Sequence, residues 1–177
     1  QICLLTPTKM LGYYNNNEAT REVLKTHADG KVWVHTGDLG YIDEDGYIWV
    51  SGRIKNMIIR PDGFKVFPGK IEKVVYSHPA VDVCKVVGIR NHDFAQGQKP
   101  KVYITLKSEY FDQEKKILNE ISNLCKTSLA EYEIPYDFEV RKDFPLTPIG
   151  KIDGIALQKE DEEKFEINSN RKLILKR

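Results

Sequence analysis

Apolar residues recur along this chain at two different spacings, and each predicts its own kind of element. Ile117, Leu118, Ile121, Leu124, Cys125 and Leu129 fall on one face at helical spacing, with Asp112 ahead of them as an expected N-cap. A shorter stripe of Ile71, Val74 and Val75 follows Pro68 and Gly69 and stops at Pro79, predicting another helix. A third is expected to begin near Asp153, and a short one over residues 18–25. Strand-like runs occupy residues 2–5, 32–35, 41–42, 47–50, 57–59, 64–67, 81–89, 101–106 and 136–140. Between them, Asp43-Glu44-Asp45-Gly46 and Arg60-Pro61-Asp62-Gly63 have turn chemistry, and the former predicts a hairpin. The polar stretch 90–100 reads as a loop. Strands alternating with helices after residue 55 predict an α+β class: a small mixed sheet flanked by two or three helices, preceded by a β-rich segment.

Composition narrows the function classes. Hydrophobic residues at 41% suffice for a core, while 30% charged residues with net charge +1 leave no basic footprint for nucleic acid. No apolar run reaches membrane-spanning length and no secretory signal is visible, so the cytoplasm is expected. Cys3, Cys84 and Cys125 are scattered, without metal-like spacing. His27, His35, His78 and His92 likewise lack the spacing of a metal site or nucleophilic triad, so no metal ligand is assigned and each histidine reads as capping or core. Trp33 and Trp49 read as packing residues. The acidic cluster at 43–45 lacks the ligand alternation and terminal bidentate Glu of a calcium loop. Residues 161–177 start charged and turn apolar only at 173–175, reading as a frayed tail or an appended strand. The chain starts at Gln1 inside an apolar run, which suggests a piece of something longer.

Two segments carry candidate chemistry. Pro145-Leu146-Thr147-Pro148-Ile149-Gly150-Lys151-Ile152-Asp153 puts a lysine just after a Pro- and Gly-punctuated turn, where a long cationic arm can swing toward oxyanions. Far upstream, His35-Thr36-Gly37-Asp38 is followed by Asp45-Gly46-Tyr47 and then Gly52-Arg53-Ile54-Lys55. In order and spacing, these motifs resemble the late motifs of the adenylate-forming superfamily: acyl-CoA synthetases, luciferase and adenylation domains. The resemblance covers roughly residues 1 to 160.

The resemblance implies a division into residues 1–51 as the end of a large N-terminal domain, 52–56 as a hinge, 57–160 as a small mobile domain, and 161–177 as a tail. It implies an ATP-dependent acyl- or aryl-CoA ligase of fatty acid metabolism, which makes an acyl-AMP and passes the acyl group to CoA. Lys151 matches the lysine that shields the carboxylate and α-phosphate as they approach. Asp38 matches the carboxylate that accepts from both ribose hydroxyls, and Arg53 the arginine reaching the ribose or phosphate. Val50 matches the apolar residue near the nucleotide, and Lys55 the hinge position. The turn containing Gly63 and Lys65 would border the pantetheine thiol's path. There this chain departs from the family, with Pro61-Asp62 in place of small residues and Lys70 where Glu is usual. ATP, CoA and Mg2+ are implied, the metal held mainly by ATP and the preceding domain, which also supplies the acid pocket. The partners are thus nucleotide, CoA, a carboxylic acid and the chain's own N-terminal domain, and the chain alone is expected to be inactive. Two alternatives stand beside this: an adenylation domain loading a carrier protein, disfavoured by Lys55 in place of the usual Asp, and a non-catalytic interaction module.

Overall fold

The computed structural model describes residues 1–90 and 96–174, with side chains through residue 165. The reading of His92 and the last residues of the tail lie outside the described residues. The chain divides into two compact units, Gln1–Asn56 and Met57–Arg177.

The first unit holds two small sheets. In one, β1 (Cys3–Leu4) and β2 (Leu24–Thr26) flank β3 (Val32–His35), both antiparallel to it. A short helix, α1 (Asn17–Val23), leads into β2; the Asn16 side chain caps it by accepting the Ala19 N–H at 3.0 Å. The other sheet is the expected hairpin of β4 (Asp38–Ile42) and β5 (Ile48–Arg53). Its turn forms as the sequence predicts: Gly46 takes φ 86°, and Asp43 accepts the Tyr47 N–H at 2.8 Å. Asp43 also accepts from the Trp49 indole at 2.6 Å, and Trp49 stacks on Tyr41. Trp49 is nevertheless more than half exposed in this chain, so the packing role expected of it is confined to the hairpin surface.

The second unit is built on a mixed three-stranded sheet, ordered β10 (Asp137–Val140), β9 (Gln98–Leu106), β8 (Val81–Arg90). Strand β8 runs antiparallel to β9, and β10 parallel to it. A parallel neighbour needs a crossover, and α3 (Glu114–Ser128) supplies it. A two-stranded ribbon, β6 (Ile58–Ile59) with β7 (Lys65–Val66), precedes α2 (Pro68–Tyr76). The sheet is covered on both faces, so its central strand reads as a nearly continuous apolar run. One side of β9, with Val102, Ile104 and Leu106, packs with Ile71 and Val75 of α2 and Ile117, Ile121 and Cys125 of α3. Ile121 is completely buried there, and its truncation to Ala would cost roughly 2–5 kcal/mol. Tyr103 faces the other way with Val87 and Ile89, against Leu157 of α4 (Gly154–Ile174). This arrangement is the α+β class expected.

Two local expectations are corrected. Asp112 does not cap α3: it lies within a 3-10 turn, Ser108–Gln113, and the capping position falls to Gln113 without a side-chain bond. Leu129 and the helix stripe are unaffected, because apolar burial rather than the cap holds that helix. Helix α4 starts where expected, with Asp153 accepting from the N–H groups of Ile155 and Ala156 at 3.0 and 3.1 Å. It then runs to Ile174 through the segment read as a frayed tail or strand. Ion pairs replace the missing apolar stripe. Asp161 meets Lys101 at 2.6 Å, Glu160 meets Arg141 at 2.6 Å, and Lys164 meets Glu139 at 2.8 Å.

Candidate functional site

Antiparallel pairing makes Asp38 and Arg53 direct cross-strand partners at the open end of the β4–β5 hairpin. Gly37, at φ 78°, turns the chain into β4, and its carbonyl accepts the Ile54 N–H at 2.9 Å, which closes that end. The Arg53 Nε–H donates to Asp38 Oδ1 at 2.9 Å. Asp38 is only 27% exposed and Arg53 66%, so the carboxylate is seated while the guanidinium reaches outward. Among the described residues, Asp38 Oδ2 and the terminal nitrogens of Arg53 have no protein partner. A free acceptor beside free donors is the chemistry that binds a vicinal diol or an anionic oxygen. Val50 lies on the same hairpin opposite Gly40, with its side chain exposed. Lys55 sits in the 3-10 turn Ile54–Asn56 that ends the first unit, also exposed.

In the second unit, Lys151 stands at the tip of a tight loop. The Thr147 N–H donates to the Lys151 carbonyl at 2.7 Å, and the Lys151 N–H donates to Thr147 Oγ1 at 3.1 Å. Gly150 at φ 75° makes the reversal possible, its N–H donating to the Thr147 carbonyl at 2.8 Å. An isolated bridge between Leu146 and Ile152 closes the loop's base. The backbone is therefore fixed while the side chain is exposed, and Lys151 Nζ has no protein partner among the described residues. That is a rigidly mounted, freely swinging cation.

Gly63 takes φ 81° in the turn between β6 and β7, donating its N–H to the Arg60 carbonyl at 2.9 Å. Space around its missing Cβ is open, so backbone conformation rather than crowding calls for glycine. The unusual Asp62 has a local role: Arg60 holds it at 2.7 Å, and that hydrogen bond keeps its carboxyl below the ordinary range. Arg60 also donates to the Tyr132 carbonyl at 3.0 Å, and Phe64 stacks on Tyr132, which pins the turn to the domain. Lys65, on β7, is exposed. Lys70 pairs with the buried carboxylate of Glu133 at 2.6 Å, so the charges of both are matched. A cavity of about 400 Å³ opens beside the turn, lined by Arg60, Pro61, Asp62, Gln98, Lys99, Pro100, Ile134 and Tyr136.

One grouping escaped the sequence reading. Cys3, His27 and His35 bring their ligating atoms within 4.8 Å of one another, the only such metal-capable cluster among the described residues. Linear spacing conceals it because β1 and β2 meet on opposite sides of β3; the only available signal was their pairing. Partial burial, then the charges of Lys25 and His27, hold the His35 imidazole below its usual value. Soft nitrogen and sulfur donors do not fit Mg2+, which takes oxygen ligands. This cluster is therefore not a site for the magnesium implied by the resemblance.

Residues 70–151 match the AMP-binding enzyme C-terminal domain family. The chain is 34% identical, over 94% of its length, to a long-chain-fatty-acid–CoA ligase of Bacillus subtilis (strain 168), and covers 28% of that protein. It is 36% identical, over 76% of its length, to a 2-succinylbenzoate–CoA ligase of Bacillus cereus (strain Q1), covering 25% of it. Among solved structures, the anthranilate CoA ligase AuaEII in complex with anthranoyl-AMP superposes with a TM-score of 0.75 at 32% identity, over 89% of this chain and 29% of that one. The chain thus spans under a third of the length of these relatives.

Proposed function

This chain belongs to the AMP-binding enzyme C-terminal domain family of adenylate-forming enzymes, and we propose that it is the C-terminal portion of an ATP-dependent acyl- or aryl-CoA ligase. In this reading the complete enzyme activates a carboxylic acid as acyl-AMP and transfers the acyl group to CoA. Residues 1–51 close the large domain, 52–56 form the hinge around Lys55, and 57–160 form the small domain.

Attack of a carboxylate on the ATP α-phosphate brings two anions together, so a cation that arrives with the transition state lowers the barrier most. Lys151 fills that role when the small domain turns about Lys55 toward the nucleotide. Asp38 takes the ribose hydroxyls through its free oxygen, Arg53 adds donors to the ribose or phosphate, and Val50 lies along the nucleotide. For thioester formation the domain turns the other way, bringing the Gly63–Lys65 turn and its adjoining cavity to the pantetheine path. The observation that carries the proposal is the Lys151 amine itself: unpartnered among the described residues and exposed, on a backbone held by the hydrogen bonds to Thr147. Identity of 34% to a CoA ligase supports CoA rather than a carrier protein as acceptor.

The experiment is Lys151→Ala in the complete enzyme, with the half-reactions measured separately. Acyl-adenylate formation is expected to slow by several orders of magnitude while thioester formation from preformed adenylate is spared. Equal slowing of both would remove the assignment.

A further inference from the structure

We propose that Cys3, His27 and His35 form a binding site for a borderline-soft divalent cation, with Zn2+ as the fitting ion. Each ligand comes from a different strand region of one small sheet. Cys3 on β1 is the direct register partner of His35 on β3, so their side chains share a face. His27, one residue past β2, is held over that face by stacking on Trp33, with ring centroids 5.2 Å apart and planes at 15°. Trp33 is fixed in turn by its indole N–H, which donates to Asp29 at 3.0 Å. The two imidazole Nε2 atoms then lie 2.9 Å apart, and the ligating atoms of all three residues, the Cys3 sulfur included, fall within 4.8 Å of one another.

The protons favour ligation. His35 Nδ1 sits 3.1 Å from Gln1 Oε1, so its N–H donates to the amide oxygen and leaves Nε2 with a bare lone pair. Without metal, His27 Nε2–H donates into that lone pair. On binding, the His27 proton moves to its own Nδ1 through solvent and the Cys3 thiol releases its proton to water. One proton therefore leaves per cation bound. Two nitrogens bound tetrahedrally at about 2.0–2.1 Å from zinc lie roughly 3.3 Å apart, so the rings need to open by only about 0.4 Å. A water completes the fourth position. A donor set of two imidazole nitrogens and one thiolate sulfur selects zinc over calcium or magnesium. Lys25 opposes the incoming charge, and Asp29 beside His27 offsets it.

The ion would have structural work to do. The β1–β3–β2 sheet is made of strands only two to four residues long. A cation held by residues at all three strands would fasten them to one another.

The test uses the full chain, freed of metal by a chelator and titrated with ZnCl2 against a chromogenic competitor. One equivalent should bind and raise the unfolding temperature read by tryptophan fluorescence. Zn2+ should also protect Cys3 from iodoacetamide, as read by peptide mapping. Cys3→Ser, His27→Gln and His35→Gln should each weaken binding by at least about a hundredfold. Co2+ should give a thiolate-to-cobalt charge-transfer band that Cys3→Ser abolishes. If a variant fails to fold, the wild-type cobalt band and Cys3 protection decide. Absence of binding, absence of that band, or undiminished binding in the folded variants would overturn the proposal.

Discussion

Replacing Lys101 with Met should destabilise the second unit strongly, although among the described residues its ammonium pairs with Asp137, Glu139 and Asp161 and with no candidate catalytic residue. Lys101 is 5% exposed on the central strand, and its ammonium lies 3.1 Å from Asp137, 3.0 Å from Glu139 and 2.6 Å from Asp161. Burial alone would lower its pKa, but the hydrogen bonds its ammonium donates to Asp161, Glu139 and Asp137 outweigh this and push it well above the usual value. Removing one partner of a buried ion pair costs roughly 3–5 kcal/mol, because the charges left behind stay desolvated. The three carboxylates differ in exposure: Asp137 is 49% exposed, Glu139 24% and Asp161 14%. Asp137 is therefore rescued by water, and Glu139 keeps Lys164 at 2.8 Å, which leaves Asp161 with little beyond the Tyr103 hydroxyl at 3.3 Å. The expected loss sits at the low end, about 3 kcal/mol, or about 12 °C in Tm for a domain of this size.

The assay is urea unfolding followed by far-UV circular dichroism. Both tryptophans, Trp33 and Trp49, lie in the first unit, so their fluorescence serves as an internal control that should not move. Glu139 adds a pH signature. Burial would raise its carboxyl, but Lys164 and Lys101 outweigh that and hold it below the usual range. A depressed folded value means its stabilisation is present above the unfolded value of about 4.3 and is lost as pH falls through the folded one. The raised value of Lys101 keeps its contribution intact below about 10.4, with loss only in more alkaline solution. The gap between wild type and Lys101→Met should therefore stay flat from about pH 5 to 10 and narrow on acidification. Lys101→Met combined with Asp161→Leu should lose less than the sum of the two, by at least about 1 kcal/mol. A single-variant loss under about 1 kcal/mol, or strict additivity in the double, would refute this account of α4.

Other expectations follow from the same geometry. Asp38→Asn keeps the carbonyl acceptor but removes the charge opposite Arg53; in the complete enzyme it should raise KM for ATP without altering the fold, as checked by steady-state kinetics and circular dichroism. Gly63→Ala forces a Cβ into φ 81° and should cost about 1 kcal/mol or more in urea unfolding. Glu133→Ala removes the partner of Lys70 and the acceptor of the Ala130 N–H, and should cost roughly 1–3 kcal/mol. In the metal-free chain iodoacetamide should modify Cys3 well before Cys84 and Cys125. Both of those thiols are buried, and burial pushes Cys125 up to about 11.

What the sequence determined by itself is local. The Asp43–Gly46 turn, the Ile117–Ile121–Cys125 stripe, the Pro68 start of α2 and the Asp153 cap all follow from residues within a turn or two of one another. The motifs around Asp38, Arg53 and Lys151 were legible for the same reason, each being a short run with its own turn chemistry. Tertiary structure decided the rest. Only the parallel pairing of β10 with β9 places Asp137 and Glu139 beside Lys101, and only then does a charge-rich segment without an apolar stripe become the helix α4. Only the meeting of β1, β2 and β3 assembles Cys3, His27 and His35 from positions that linear spacing keeps apart. Periodicity records which face of an element is buried, whereas long-range pairing records what that face meets. A charged side chain takes its meaning from the second alone.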